Sequence, residues 1–136
     1  MASPRPDITR IKKRKHFVAA ASKGNKVVAT TLVLQGYPTP VPAKALSAAD
    51  YDTNIPPPIR VGFTVTKRVG NAVIRNRVRR RLKAAADQLL LEHGLSGWDY
   101  IIIGRAKAIN EEFDIILRDM RYAIRKVAKI EEAKQS

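Results

Sequence analysis

Hydrophobic and polar positions alternate most clearly over residues 59–66. Ile59, Val61, Phe63 and Val65 share one side, and Arg60, Gly62, Thr64 and Thr66 share the other. That period of two predicts a strand with one buried face and one polar, uncrowded face. The period then changes. Ile74, Val78, Leu82, Ala85 and Leu89 recur at helical spacing, with Asn71 placed as N-cap and Gly94 as terminator, which predicts a helix over about 71–92. Residues 100–103, Tyr-Ile-Ile-Ile, read as a buried strand entered through Trp98. Phe113, Leu117, Met120, Ile124 and Val127 make the stripe of a last helix over about 110–128. Glu111, Glu112 and Asp114 at its start, and Arg125, Lys126 and Lys129 near its end, complement its dipole.

Before residue 59 the pattern is weaker. Residues 12–22 predict a short helix ended by Gly24, and 26–35 predict strand, with Thr30 and Thr31 marking a bend between two short pieces. Pro4 and Pro6 mark residues 1–10 as a flexible basic arm. Pro38, Pro40, Pro42 and the Pro56-Pro57-Pro58 run mark 36–58 as one long loop. The order is that of a single α+β domain of 136 residues, with helices on one face of a small mixed sheet. No internal repeat occurs.

Charge narrows the function. The chain has 26 Lys+Arg against 12 Asp+Glu, a formal net charge of +14. Such an excess repels itself in a compact domain and suits a polyanionic partner. It is also concentrated. No acidic residue lies between Thr53 and Ala86, while 75–83 holds six basic residues in nine: Arg75, Arg77, Arg79, Arg80, Arg81 and Lys83. On a helical wheel Arg75, Arg79 and Lys83 flank one side of the apolar stripe, and Arg77, Arg80 and Arg81 flank the other. Like charges at i,i+4 each cost a few tenths of a kcal/mol, roughly, unless an anion neutralises them. A solvated helix would intersperse glutamates. Arginine's planar fork also suits bidentate phosphate contact.

Several classes fall away. Cysteine is absent, so there is no disulfide, thiolate ligand or cysteine nucleophile. No apolar run is long enough for a bilayer span. The basic start lacks the apolar core of a secretory signal, and we expect a cytoplasmic protein with no membrane association. His16 and His93 are far apart, and Asp50 and Asp52 lie in the proline-rich loop, so no catalytic residue or metal site is expected on this chain. A structural RNA-binding protein, such as a ribosomal one, and a DNA-binding protein stay open on composition alone.

One stretch is more specific. From Arg60 to Lys83 the sequence reads RVGFTVTKRVGNAVIRNRVRRRLK, with Arg75-Asn76-Arg77 preceded by Gly70-Asn71-Ala72-Val73. It resembles the signature of the bacterial ribonuclease P protein component. Weaker similarity extends through the basic first helix ending at Phe17, Leu32-Val33-Leu34, and the run from Tyr100 to Arg105. The resemblance implies an αβββαβα fold with a left-handed βαβ crossover. It implies a subunit of a ribonucleoprotein endonuclease that matures the 5′ end of precursor tRNA, with the catalytic groups and Mg2+ in the RNA subunit and no cofactor on the protein. The implied partners are that catalytic RNA and precursor tRNA, with no obligate protein partner.

Carried over by position, Lys67, Arg68, Asn71, Arg75, Asn76, Arg77, Arg79, Arg80, Arg81 and Lys83 would face RNA. Phe17, Arg60, Thr64 and Thr66 would line a cleft for the single-stranded leader, beside the basic helix residues Lys12, Lys13, Arg14 and Lys15. This chain departs from the pattern in three places. Ala21 and Gln35 stand where aromatics are common, and the 36–58 loop is longer and richer in proline.

Overall fold

A computed structural model describes residues 6–39 and 56–135. In chain order the elements are β1 (Ile8–Arg10), α1 (Arg14–Lys23), β2 (Asn25–Val28), β3 (Leu32–Pro38), β4 (Ile59–Thr64), α2 (Ala72–His93), β5 (Trp98–Gly104), a 3-10 turn (Ala106–Ile109) and α3 (Phe113–Gln135). The strands form one five-stranded sheet in the order β1-β4-β5-β3-β2. β4 is parallel to both β1 and β5, and β3 is antiparallel to both β5 and β2. This is the mixed-sheet α+β domain expected, with a parallel β4-α2-β5 unit at its centre.

The core divides by strand parity. On one face Leu32 and Leu34 of β3, Ile59 and Val61 of β4, and Tyr100 and Ile102 of β5 pack against Val78, Leu82, Ala85 and Leu89 of α2. Ile116, Met120, Ile124 and Val127 of α3 complete that layer. On the other face Ile101 joins Ile11 and Ala20, with Phe17, Tyr37 and Ile103 against them. α1 therefore lies on the face opposite α2 and α3, whereas the sequence pattern had placed all helices together. The reason is the central position of β5. Its continuous apolar run is buried on both sides, so each face requires a cover.

The helix predicted from 71 forms with its cap in place, the Asn71 Oδ1 accepting from the Ile74 N–H at 2.9 Å. At Gly104, where α2 crosses the end of β5, an added Cβ would lie 2.8 Å from Val78 Cγ1, so only glycine allows this approach.

The N-terminal third differs most from expectation. Ile8–Arg10, read as flexible arm, is a fifth strand, extended at both ends by Ile59 N–H to Asp7 O (2.8 Å) and Ile11 N–H to Val61 O (2.9 Å). α1 starts at Arg14, so Lys12 and Lys13 precede the helix and Lys13 is its N-cap. The predicted bend at Thr30-Thr31 is real, and it separates β2 from β3. β3 runs through Pro38, three residues into the segment assigned to loop. β2 pairs no further than Gly36, so Pro38 has one unpaired side, where its missing donor costs nothing. The rest of that loop, 40–55, and residues 1–5 lie outside the described residues. α3 begins at Phe113 because Ala106–Ile109 forms a separate 3-10 turn.

Two polar anchors join distant segments. The buried Asp119 carboxylate accepts from Thr31 N–H (2.9 Å) and Thr31 Oγ1 (2.7 Å), tying α3 to the β2–β3 bend. Arg105 donates to Ala29 O at 2.7 Å across the same bend.

Candidate nucleic-acid interface

The α2 side. The β4–α2 turn and the first half of α2 present Lys67, Arg68, Asn71, Asn76, Arg77, Arg80 and Lys83 to solvent. Burial of Val78 and Leu82 holds the helix against the sheet and leaves these cations outward. Arg79 is half-buried and donates to Asn76 Oδ1 at 2.9 Å, which steadies both side chains. Lys83 pairs with Asp87 at 2.9 Å in the open, a contact worth little in water. Arg75 is half-buried too, and its Nε is enclosed without a hydrogen-bond partner. Val73 is 75% exposed beside Asn76, Arg79 and Arg80, and the four line a shallow hollow.

Arg81 behaves differently from its neighbours. Its guanidinium donates to Ala108 O (2.7 Å), Ile109 O (3.2 Å) and Glu111 O. It was expected on the RNA-facing shoulder. Instead it satisfies the carbonyls left open where the 3-10 turn gives way to α3. The wheel puts it on the flank that meets this turn, which sequence periodicity could not locate.

The α1 side. Phe17 lies across the sheet at Gly62, where an ideal Cβ would stand 2.6 Å from Phe17 Cε1. Gly62 therefore leaves the hollow that the ring occupies. Tyr37, Ile101 and Ile103 continue the apolar floor. Lys12, Lys13, Arg14 and Lys15 are exposed at the start of α1, and Thr64 is half-buried on the sheet. Thr66 is exposed beyond the end of β4.

Arg60 was expected to line this cleft. Its fork is occupied: Nε and Nη2 donate to Asp99 Oδ1 and Oδ2 at 2.6 and 2.7 Å. The His16 ring nitrogens lie 3.1 and 3.3 Å from Nη1 and Nη2. Burial first, and then the Arg60 charge, push His16 below its ordinary 6.5, with Asp99 pulling partly the other way. A nitrogen of the neutral ring can accept a hydrogen bond from Arg60, which an imidazolium cannot.

Asp99 and Tyr37 escaped the sequence reading. Asp99 had a usable signal, since a carboxylate inside Trp-Asp-Tyr-Ile-Ile-Ile must find a partner if the strand is buried. Tyr37 was hidden by the assumption that Pro38 ends regular structure. It supplies an aromatic to the face where Gln35 does not.

Among the described residues no group of three or more His, Cys, Asp or Glu side chains could hold a metal ion. No helix among them is long and apolar enough to cross a membrane.

Comparison with known proteins points to one family. The family model described as Ribonuclease P matches residues 6–128. The ribonuclease P protein component of Gluconacetobacter diazotrophicus is 44% identical over 117 residues, covering 86% of this chain and 89% of that protein. That of Paramagnetospirillum magneticum is 36% identical over 124 residues, covering 91% and 86%. Among solved structures, the Staphylococcus aureus RNase P protein superimposes with a TM-score of 0.62 at 26% identity, covering 88% of this chain and 94% of that one. The Thermotoga maritima RNase P protein gives 0.66 at 16% identity, covering 87% and 99%, a likeness of fold alone.

Proposed function

The chain belongs to the ribonuclease P family, and from that membership we propose that it binds the catalytic RNA subunit through α2 and the 5′ leader of precursor tRNA through the α1 cleft. The observation that carries the first half is the acid-free stretch from Thr53 to Ala86, which ends in exposed Arg77, Arg80 and Lys83 on a helix pinned from beneath. Phosphates on both shoulders would relieve its self-repulsion. Phe17, Tyr37 and the apolar floor support the second half, because unstacked bases of a single strand can lie on aromatic rings.

Catalysis in this reading belongs to the RNA. The protein lowers the repulsion between two polyanions, holds the leader, and raises occupancy of Mg2+ bound by the RNA subunit. Its own residues supply contact and position. The enzyme is then the ribonucleoprotein, working in the cytoplasm where precursor tRNA is made, and the protein needs no cofactor of its own.

The test is a precursor-tRNA cleavage assay with a bacterial ribonuclease P RNA at low magnesium, with and without the protein. Accurate 5′ cleavage only when both are present is the expected result. No stimulation by folded protein, with the RNA active at high magnesium, would overturn the reading. Cleavage by the purified protein alone would overturn the assignment of catalysis to RNA. Affinity for the RNA subunit should fall with salt, with log K losing about 0.7–0.9 per phosphate contact per log unit.

A further inference from the structure

α3 carries a second cationic surface that the α2 motif does not include. Arg118, Arg121, Tyr122, Arg125, Lys126 and Lys129 line one groove along its outer side. The spacing is i, i+3, i+4, i+7, i+8, i+11, so all six lie on one stripe opposite the buried Ile116, Met120, Ala123, Ile124 and Val127. Between Arg118 and Lys129 this face contains no carboxylate, and Asp114 and Glu132 lie one turn beyond its two ends. Asp119 on the same helix is turned inward to Thr31, and Arg118 reaches it at 3.2 Å. Among the described residues no carboxylate lies within ion-pair distance of Arg121, Arg125, Lys126 or Lys129. Arg121, Arg125 and Lys129 follow one another at i,i+4, a spacing that disfavours the free helix. At the centre Tyr122 is 54% exposed, an aromatic ring walled by cations.

Phosphates between the cations and a base on the ring satisfy every one of these features at once. An anionic lipid surface would want bulky apolar residues beside the charges, and the stripe has none beyond Tyr122.

We propose that this stripe is a second RNA-binding surface, taking an unpaired segment of the RNA subunit with one base stacked on Tyr122. It rests on the reading that α2 binds that RNA. The choice of source follows from the fold. α2 and α3 pack on the same face of the sheet, and Arg81 fastens one to the start of the other. Because β4 and β5 are parallel, both helices begin at the same end of the sheet. Their outer surfaces look away from the α1 cleft, so the RNA reached by α2 is also the RNA within reach of α3. The stripe is about 17 Å long, enough for several consecutive phosphates.

The experiment measures binding of full-length protein to ribonuclease P RNA across a salt series. R121A/R125A/K129A is expected to weaken binding about tenfold or more and to lower the salt slope by about 2–3. Y122A should lose about five- to tenfold with the slope unchanged, and Y122F should restore it. K23A/K107A/K134A removes as much charge from exposed sites off the stripe and should lose clearly less. Equal losses in the two triple variants would reduce the effect to net charge and overturn the proposal. So would an unchanged stripe variant alongside a weakened R77A/R80A variant, and in that case the α2 reading survives. Failure of the wild-type protein to bind the RNA would overturn both. A stripe variant that binds the RNA subunit normally but weakens precursor binding by the assembled particle would overturn the assigned source.

Discussion

The Phe17 ring occupies the space that a side chain at Gly62 would fill, with Cε1 and Cζ 2.6 and 2.7 Å from an ideal Cβ there. The contact sets how closely α1 packs on the sheet, and so it shapes the surface proposed to take the leader. Gly62→Ala should lift the ring and overpack the face, costing about 1–3 kcal/mol by urea denaturation. Leader-dependent binding of precursor tRNA should weaken while affinity for the RNA subunit holds. If both affinities stay at the wild-type level, the cleft does not depend on this contact.

Arg60 and Asp99 predict a stability effect where a binding effect was first expected. The Asp99 side chain is 1% exposed and its fork partner 27%. Removing Arg60 strands a buried carboxylate, so Arg60→Ala should destabilise by about 3–5 kcal/mol. Replacing both, as R60M/D99N, should recover part of the loss. A single variant with an unchanged melting temperature would show that water replaces the partner at no cost.

Arg81 and Arg80 are neighbours in sequence with opposite expected phenotypes. Arg81→Ala leaves carbonyls of residues 108, 109 and 111 without their donor and should cost about 1–3 kcal/mol of stability. Arg80→Ala should leave melting unchanged and weaken RNA-subunit binding. Circular dichroism melts paired with filter binding separate the two, and identical phenotypes would refute the assignment.

His16 gives a pH dependence with a definite sign. Burial and Arg60 lower its folded value, so the unfolded chain binds the proton more tightly. The stability contributed by the neutral ring is intact above about 6.5, the unfolded value, and is lost as pH falls from there through the lower folded value. Facing it, Arg60, Lys15 and Lys13 act in this direction and Asp99 against it. His16→Gln should flatten the stability profile below pH 6.5. An unchanged slope would assign the dependence to other groups.

The legible parts of the fold were those with a long, regular period. β4, α2 and α3 announce themselves through alternation or a helical stripe, and Asn71 caps α2 as its position suggested. β1 was illegible because three residues carry no period. Their strand conformation comes from pairing with β4, a partner about fifty residues away. The placement of α1 on its own face was hidden for a similar reason, since a helical wheel says which side is buried and not against which face. Within the interface, the cluster from Lys67 to Lys83 was legible as charge. That Arg81 serves the fold and Arg60 serves Asp99 depends on where the 3-10 turn and β5 lie, which no local pattern records.

β5 stands between β4 and β3, yet it is the last strand in the chain. A ribosome making this protein releases β1 to β4 first, and of these only the β2–β3 hairpin and the β1–β4 pair can form. Each has one rim waiting for a strand not yet synthesised. The two halves join only once Gly104 has emerged, and every pairing made then spans dozens of residues. Folding is therefore gated by translation and slow for a chain of this length. Until then the inner rims of β3 and β4 are open templates for the wrong partner.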